Sequence, residues 1–135
     1  MRILAMALTA VALAAAPVAA AEQVYLCAVN DGEEDGGWIS PDYAFVVDPE
    51  TGKVVVSDVV ILHFNKNQPV EGVLVAATPA KTVFTWSVLA SNSAGQRTRM
   101  SYRAVLFTAG AAFSVLAKPI GYDNSFSARG NCQPG

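Results

Sequence analysis

From Thr82 to Phe107 the side chains alternate with a period of two, in two runs hinged on Ser91-Asn92-Ser93-Ala94-Gly95-Gln96. In an extended strand, alternate residues face opposite sides. The first run therefore puts Phe84, Trp86, Val88 and Ala90 on one face. The second puts Met100, Tyr102, Ala104 and Leu106 on one face and Arg97, Arg99, Ser101 and Arg103 on the other. One side is a core wall and the other a basic, solvated stripe. A chain with such a hairpin at its centre has to supply further strands to cover the apolar face.

It does so on both sides. Glu22–Val29, Tyr43–Asp48, Lys53 onward, Val70–Ala77, Ala111–Ala117 and Tyr122–Cys132 read as strands. Turn signals separate them: Pro49-Glu50-Thr51-Gly52, Asn65 to Pro69, Thr78-Pro79-Ala80-Lys81 and Thr108-Ala109-Gly110. Val59 to Phe64 continues the β-branched run begun at Val54, with Ser57-Asp58 read as a bulge or a strand junction. Gly72 is expected to weaken its strand, and Gln133-Pro134-Gly135 to fray. No segment after Ala21 shows helical periodicity. Short strands with closely spaced turns predict an all-β domain, a single small antiparallel barrel or sandwich in a meander of about eight strands.

The N-terminus has a different character. Met1-Arg2, the apolar run Ile3–Ala16 and the small residues Pro17-Val18-Ala19-Ala20-Ala21 read as a signal peptide over 1–21. Residues 22–135 are then one exported domain, in the bacterial periplasm or outside the cell. No membrane span is expected after cleavage. Of the two cysteines, Cys27 falls in the first strand after the leader and Cys132 in the last. In an oxidising compartment they are expected to pair, which joins the two ends of the domain. Loss of Arg2 takes the formal charge from −2 to −3. That balance argues against a nucleic-acid partner, which calls for a strongly basic surface.

Few residues suggest chemistry. Asp31, Glu33, Asp35 and Asp42, with Gly36, fall near the ligand positions of a calcium loop. Pro41 and the lack of flanking helices depart from that pattern, and a solvated acidic hairpin loop explains the same charges. No other cofactor is indicated. His63 is the single histidine. With Ser57 and Asp58 it could suggest a triad, but on one strand these residues do not converge. The expectation is a protein without enzymatic activity. Arg97, Arg99 and Arg103, with Ser91 and Ser93 of the adjoining turn, are the candidate binding residues for an unidentified protein or small molecule. A lipocalin-like carrier is the alternative, with Trp86, Tyr102 and Phe113 lining a cavity.

Tyr25-x-Cys27 near the start of the exported part, Cys132 near its end and the small β-barrel pattern resemble the periplasmic inhibitors of C-type lysozymes. The resemblance implies a barrel that plugs the lysozyme cleft with a Ser-rich loop and a nearby Lys. Ser91, Ser93 and Gly95 correspond loosely to that loop. The family's second motif, which contains Trp and Lys, is not reproduced; Lys118 with Gly121-Tyr122 is the nearest stretch.

Overall fold

The computed structural model describes residues 22–32 and 37–135. The leader proposed for 1–21 lies outside them. The chain forms strands β1 (Gln23–Gly32), β2 (Asp42–Val47) and β3 (Lys53–Ser57), then a helix α1 (Val59–Phe64). Strands β4 (Val70–Ala77), β5 (Lys81–Ser91), β6 (Arg97–Phe107), β7 (Ala112–Pro119) and β8 (Phe126–Pro134) follow. Each strand pairs antiparallel with the next, and β8 pairs with β1, so the sheet closes into a barrel in chain order. The sandwich alternative is excluded. All eight strands lie within the span Gln23–Pro134, so the ladder closes without residues 1–21.

The alternation of the central hairpin sets the inside of the barrel. Phe84, Trp86, Val88, Met100, Tyr102 and Ala104 are buried, joined by Tyr43, Phe45, Phe113, Val115 and Ala117 from the flanking strands. Aromatic rings fill the centre. Phe45 meets Phe84 at 4.7 Å between centroids, and Trp86 stacks on Tyr102 at 5.2 Å. Tyr43 lies 6.1 Å from both Trp86 and Phe113. Trp86, Tyr102 and Phe113, which a carrier would arrange around a hollow, instead pack in one aromatic cluster. Burying a large side chain contributes about 1.5–3 kcal/mol, so this cluster is a main source of stability.

Cys27 and Cys132 are register partners across the β1–β8 seam and are disulfide-bonded. The seam is tight at Gly130, where a Cβ would stand 1.8 Å from the Ala28 carbonyl oxygen and 2.6 Å from the Phe113 ring. Gly72 has a similar role: it is buried, and a Cβ there would stand 2.5 Å from the Thr85 oxygen. It permits close approach of β4 to β5.

Three expectations are corrected. Val59–Phe64 is helical, because Asp58 has extended backbone and its Oδ1 accepts from Ile61 N at 2.7 Å, which makes Asp58 an N-cap. Ser57-Asp58 is thus a strand-to-helix junction. The C-terminal tail is not frayed: Gln133 and Pro134 pair with Leu26 and Tyr25, and Gly135 N donates to Val24 O. Finally, β1 runs to Gly32, beyond the strand end expected at Val29, with a register shift between Val29 and Asp31.

Because the order is a simple meander, the connections sort to two ends. One end has the β2–β3, β4–β5 and β6–β7 turns and both chain ends of the barrel. The other, the mouth of the barrel, has the β1–β2 connection, α1, the β5–β6 turn and the β7–β8 connection.

Candidate functional site

The mouth holds a depression of about 700 Å³. Met100, Ala90 and Pro119, at the strand ends, contribute to its lining. Trp38, Phe64, Tyr122 and Phe126 supply aromatic walls from four separate segments. Trp38 is fixed twice. Its carbonyl accepts a hydrogen bond from the Tyr102 hydroxyl at 2.9 Å, and its ring stacks on Phe64 at 6.0 Å between centroids. Phe64 is in turn held by α1, whose first turn depends on the Asp58 cap. Beside Trp38, the backbone N–H of Ser40 donates to the Tyr43 hydroxyl at 2.9 Å.

The polar side of the depression comes from the β5–β6 turn. Asn92 organises that turn: its Oδ1 accepts from Ala94 N and Gln96 N at 3.0 Å, and its Nδ2 donates to Gln96 Oε1 at 2.8 Å. Gly95 supplies the positive φ of 80° that the turn needs. Arg97 follows at the start of β6 and lines the depression with Ser91, Asn92, Gln96 and Asn124. Among the described residues the Arg97 guanidinium makes no hydrogen bond or ion pair. Among the described residues no carboxylate lines the depression. These residues offer aromatic faces, amides and one unpaired cation to whatever enters it.

The candidate residues from the sequence divide sharply. Arg97 and Ser91 line the depression, while Ser93 sits exposed at the turn without lining it. Arg99 and Arg103 are exposed on the outer wall of β6, and Arg99 Nη1 donates to Ser87 Oγ at 3.2 Å. The stripe is thus one face in register but not one site. Of the proposed calcium ligands, Glu33 and Asp35 lie outside the described residues. Asp31 ends up across from Arg129 on β8, and Asp42 across from Ala28 on β1. Among the described residues, no group of three His, Cys, Asp or Glu is placed to hold a metal ion. His63 is exposed on α1 with its ring 4.6 Å from that of Phe64, and Asp58 is occupied as the helix cap.

The sequence reading missed Trp38, Phe64, Tyr122, Asn124 and Phe126 as site residues, since no local motif links them. It did name Lys118 and Gly121-Tyr122 beside the Ser91–Gly95 turn. Met100 pairs with Pro119, and Ile120 N donates to Arg99 O, which brings those two stretches to the same end of the barrel. Tyr122 and Ser91 line the same depression; Lys118 lies on the outer wall opposite Ser101.

A second, mostly apolar groove of about 760 Å³ runs outside β1 and β2 beneath α1, with Leu26, Ala44, Val59 and Leu62 in its lining. Asp58 borders it. Burial pushes the Asp58 carboxyl above the usual carboxylate range, against the opposing pull of the Ile61 N–H, the Ser40 hydroxyl and the Val60 N–H. Among the described residues, neither Asp58 Oδ2 nor the Ser40 hydroxyl has a partner that meets hydrogen-bond geometry. Among the described residues no helix is long and apolar enough to cross a membrane. Comparison with protein-family models, curated proteins and solved structures returns no match.

Proposed function

We propose that the protein is an exported, non-enzymatic binding domain that takes its ligand at the mouth of the barrel. The observation that carries this reading is the depression itself: about 700 Å³, aromatic on one side and amide-lined on the other, with Arg97 unpaired and no acid in the lining among the described residues. Small-molecule sites commonly occupy about 300–1,000 Å³ and combine apolar walls with a few placed polar groups. The filled core directs a ligand to the mouth instead of the barrel interior, which modifies the carrier alternative. The fitting ligand has a ring to lie on Trp38 or Tyr122 and a carboxylate or other acceptor for Arg97. The disulfide supports an oxidising, exported location.

Native mass spectrometry, together with Trp fluorescence titration against aromatic and sugar carboxylates, tests the reading. A ligand bound by the wild type should be lost on Trp38→Ala and weakened on Arg97→Gln. Binding that survives both substitutions would place the site elsewhere.

A second reading is favoured by one observation. The Ser91–Gly95 turn and Tyr122, the stretches that resemble the lysozyme-inhibitor family, share the mouth. On that reading the β5–β6 turn enters the cleft of a C-type lysozyme. A lysozyme activity assay with and without the protein decides it: inhibition that disappears when Ser91 and Ser93 are replaced by bulky residues supports it, and unaltered activity rejects it.

A further inference from the structure

The charges of the chain are not mixed. Between Glu22 and Ala77 there are ten acidic and two basic residues; from Thr78 to Gly135 there are one acidic and six basic. For the residues carried by the strands this separation in sequence becomes a separation in space, because β1–β4 form one half of the wall and β5–β8 the other. The basic half has a focus. Arg99 and Arg103 lie on either side of Ser101 on the outer face of β6, and Lys118 on β7 is directly opposite Ser101. Residues two apart on a strand are about 7 Å apart, and diagonal cross-strand neighbours about 7–8 Å. Three cations therefore surround one serine. Among the described residues none of the three has an ion-pair partner; the one ion pair is Lys53 with Glu71, on β3 and β4.

The same face exposes apolar groups in register with the cations. Leu89 is opposite Arg99, and Leu116 is opposite Arg103. Both leucines are at least 40% exposed. Beyond them, toward the mouth, Ile120 and Tyr122 are more than half exposed. This face thus combines cations that have no ion-pair partner among the described residues with exposed aliphatic groups at neighbouring register positions.

We propose that the outer wall of β5–β7 is a docking surface for an anionic lipid bilayer. Charge complementarity selects the negative surface, and the leucines paired with arginines select a lipid interface over a soluble polyanion. A lipid headgroup region accepts the guanidinium and ammonium groups while aliphatic and tyrosyl side chains enter the acyl boundary. The negative net charge does not oppose this. Of the strand acids, Asp42 lies on β2, four strands from β6 in either direction, and Asp31 lies on β1, three strands away; the nearer Glu71, on β4 beside β5, is ion-paired with Lys53. Salt with a Debye length of about 8–10 Å weakens the repulsion of the distant acids. Each Lys or Arg near an anionic bilayer adds about 1 kcal/mol, or about fivefold in affinity. The wall is separate from the mouth depression apart from Ser91, Arg97 and Tyr122, and the test leaves all three unchanged.

The experiment is vesicle co-sedimentation of the disulfide-closed barrel, residues 22–135. The apolar stretch Ile3–Ala16 is left out because it would partition into lipid by itself. Binding to phosphatidylglycerol vesicles should exceed binding to phosphatidylcholine vesicles by at least tenfold and fall as salt is raised. Arg99→Ser with Arg103→Ser should weaken it roughly tenfold or more. Leu89→Ser with Leu116→Ser should weaken it at constant charge. All four positions are exposed, and the circular dichroism of each variant should match the wild type. Equal binding to both lipids, or binding insensitive to both double substitutions, overturns the proposal. So does capture of soluble polygalacturonate with no sedimentation on vesicles.

Discussion

Asp58 sets two effects against each other, and two substitutions separate them. Its Oδ1 caps α1 through Ile61 N at 2.7 Å, while its burial holds the carboxyl above the ordinary carboxylate range. The cap stabilises; the buried charge costs. Asp58→Asn keeps an acceptor at the same place, and asparagine is as good an N-cap as aspartate. It also removes the charge, so at pH 7 it should leave stability unchanged or raise it by up to about 1 kcal/mol. Asp58→Ala removes the acceptor and leaves the buried Ile61 N–H unpaired. Loss of a cap costs about 0.5–2 kcal/mol and a buried orphan donor about 1–3. The two costs overlap and are offset by the discharged burial, which leaves a net loss of about 1–2 kcal/mol. For a domain of this size that is a fall in Tm of roughly 3–10 °C.

The pH dependence has a definite sign. A carboxyl with a raised folded pKa binds its proton more tightly when folded, so its charge penalty is fully present above the folded pKa. The penalty fades as pH falls through that value toward the unfolded one near 3.8. The advantage of Asp58→Asn over the wild type should therefore be greatest at pH 7 and close by about pH 4. Urea melts at several pH values measure it. If Asp58→Asn loses as much stability as Asp58→Ala at pH 7, the charge and not the hydrogen bond holds α1, and the reasoning is refuted.

Three further outcomes follow from the fold. Replacing Cys27 and Cys132 together by serine should cost about 2–5 kcal/mol without changing the far-ultraviolet spectrum; two alkylatable thiols in oxidised wild-type protein would deny the bond. Gly130→Ala should cost more than about 3 kcal/mol or prevent soluble expression, because the new Cβ meets the Ala28 oxygen at 1.8 Å; a denaturant melt within 1 kcal/mol of wild type would mean the seam can part at little cost. Tyr102→Phe removes the bond to the Trp38 carbonyl and should cost about 0.5–1.5 kcal/mol. Trp38 emission should shift in the same variant, and an unchanged spectrum would show that the ring is held by Phe64 alone.

Much of the barrel was legible because its signal is local. The alternation in Phe84–Ala90 and Met100–Leu106 needs no knowledge of distant residues, and Asp48-Pro49-Glu50-Thr51-Gly52 announces its own turn. The helix Val59–Phe64 was not legible. Val-Val-Ile-Leu-His-Phe is a β-rich composition, too short to show a helical period, and the decision rests on Asp58 before it. Lys66 and Asn67, both at positive φ, redirect the chain after it. The tail was misread for the opposite reason: Pro134 looks like an end but belongs to an edge that finds its partner only when the barrel closes. The mouth was illegible as a site because Trp38, Phe64, Tyr122 and Phe126 are joined only by the topology. The charge separation, by contrast, stands in plain order along the chain. Its meaning depends on knowing that the strands keep that order around the barrel.

That order also has a kinetic consequence. Seven of the eight ladders join strands that follow one another, and each can form by closing a short segment. The eighth joins β1 to β8 across a separation of 105 residues between the cysteines. The entropy of closing that segment has to be met before its contacts form. The seam is thus the natural last step, with a curved, open sheet preceding it. Until then both terminal edges are exposed to pairing with other chains. Oxidation of Cys27 and Cys132 would record that final closure and trap it, so a chain kept reduced during refolding should aggregate through the edges that the bond holds shut.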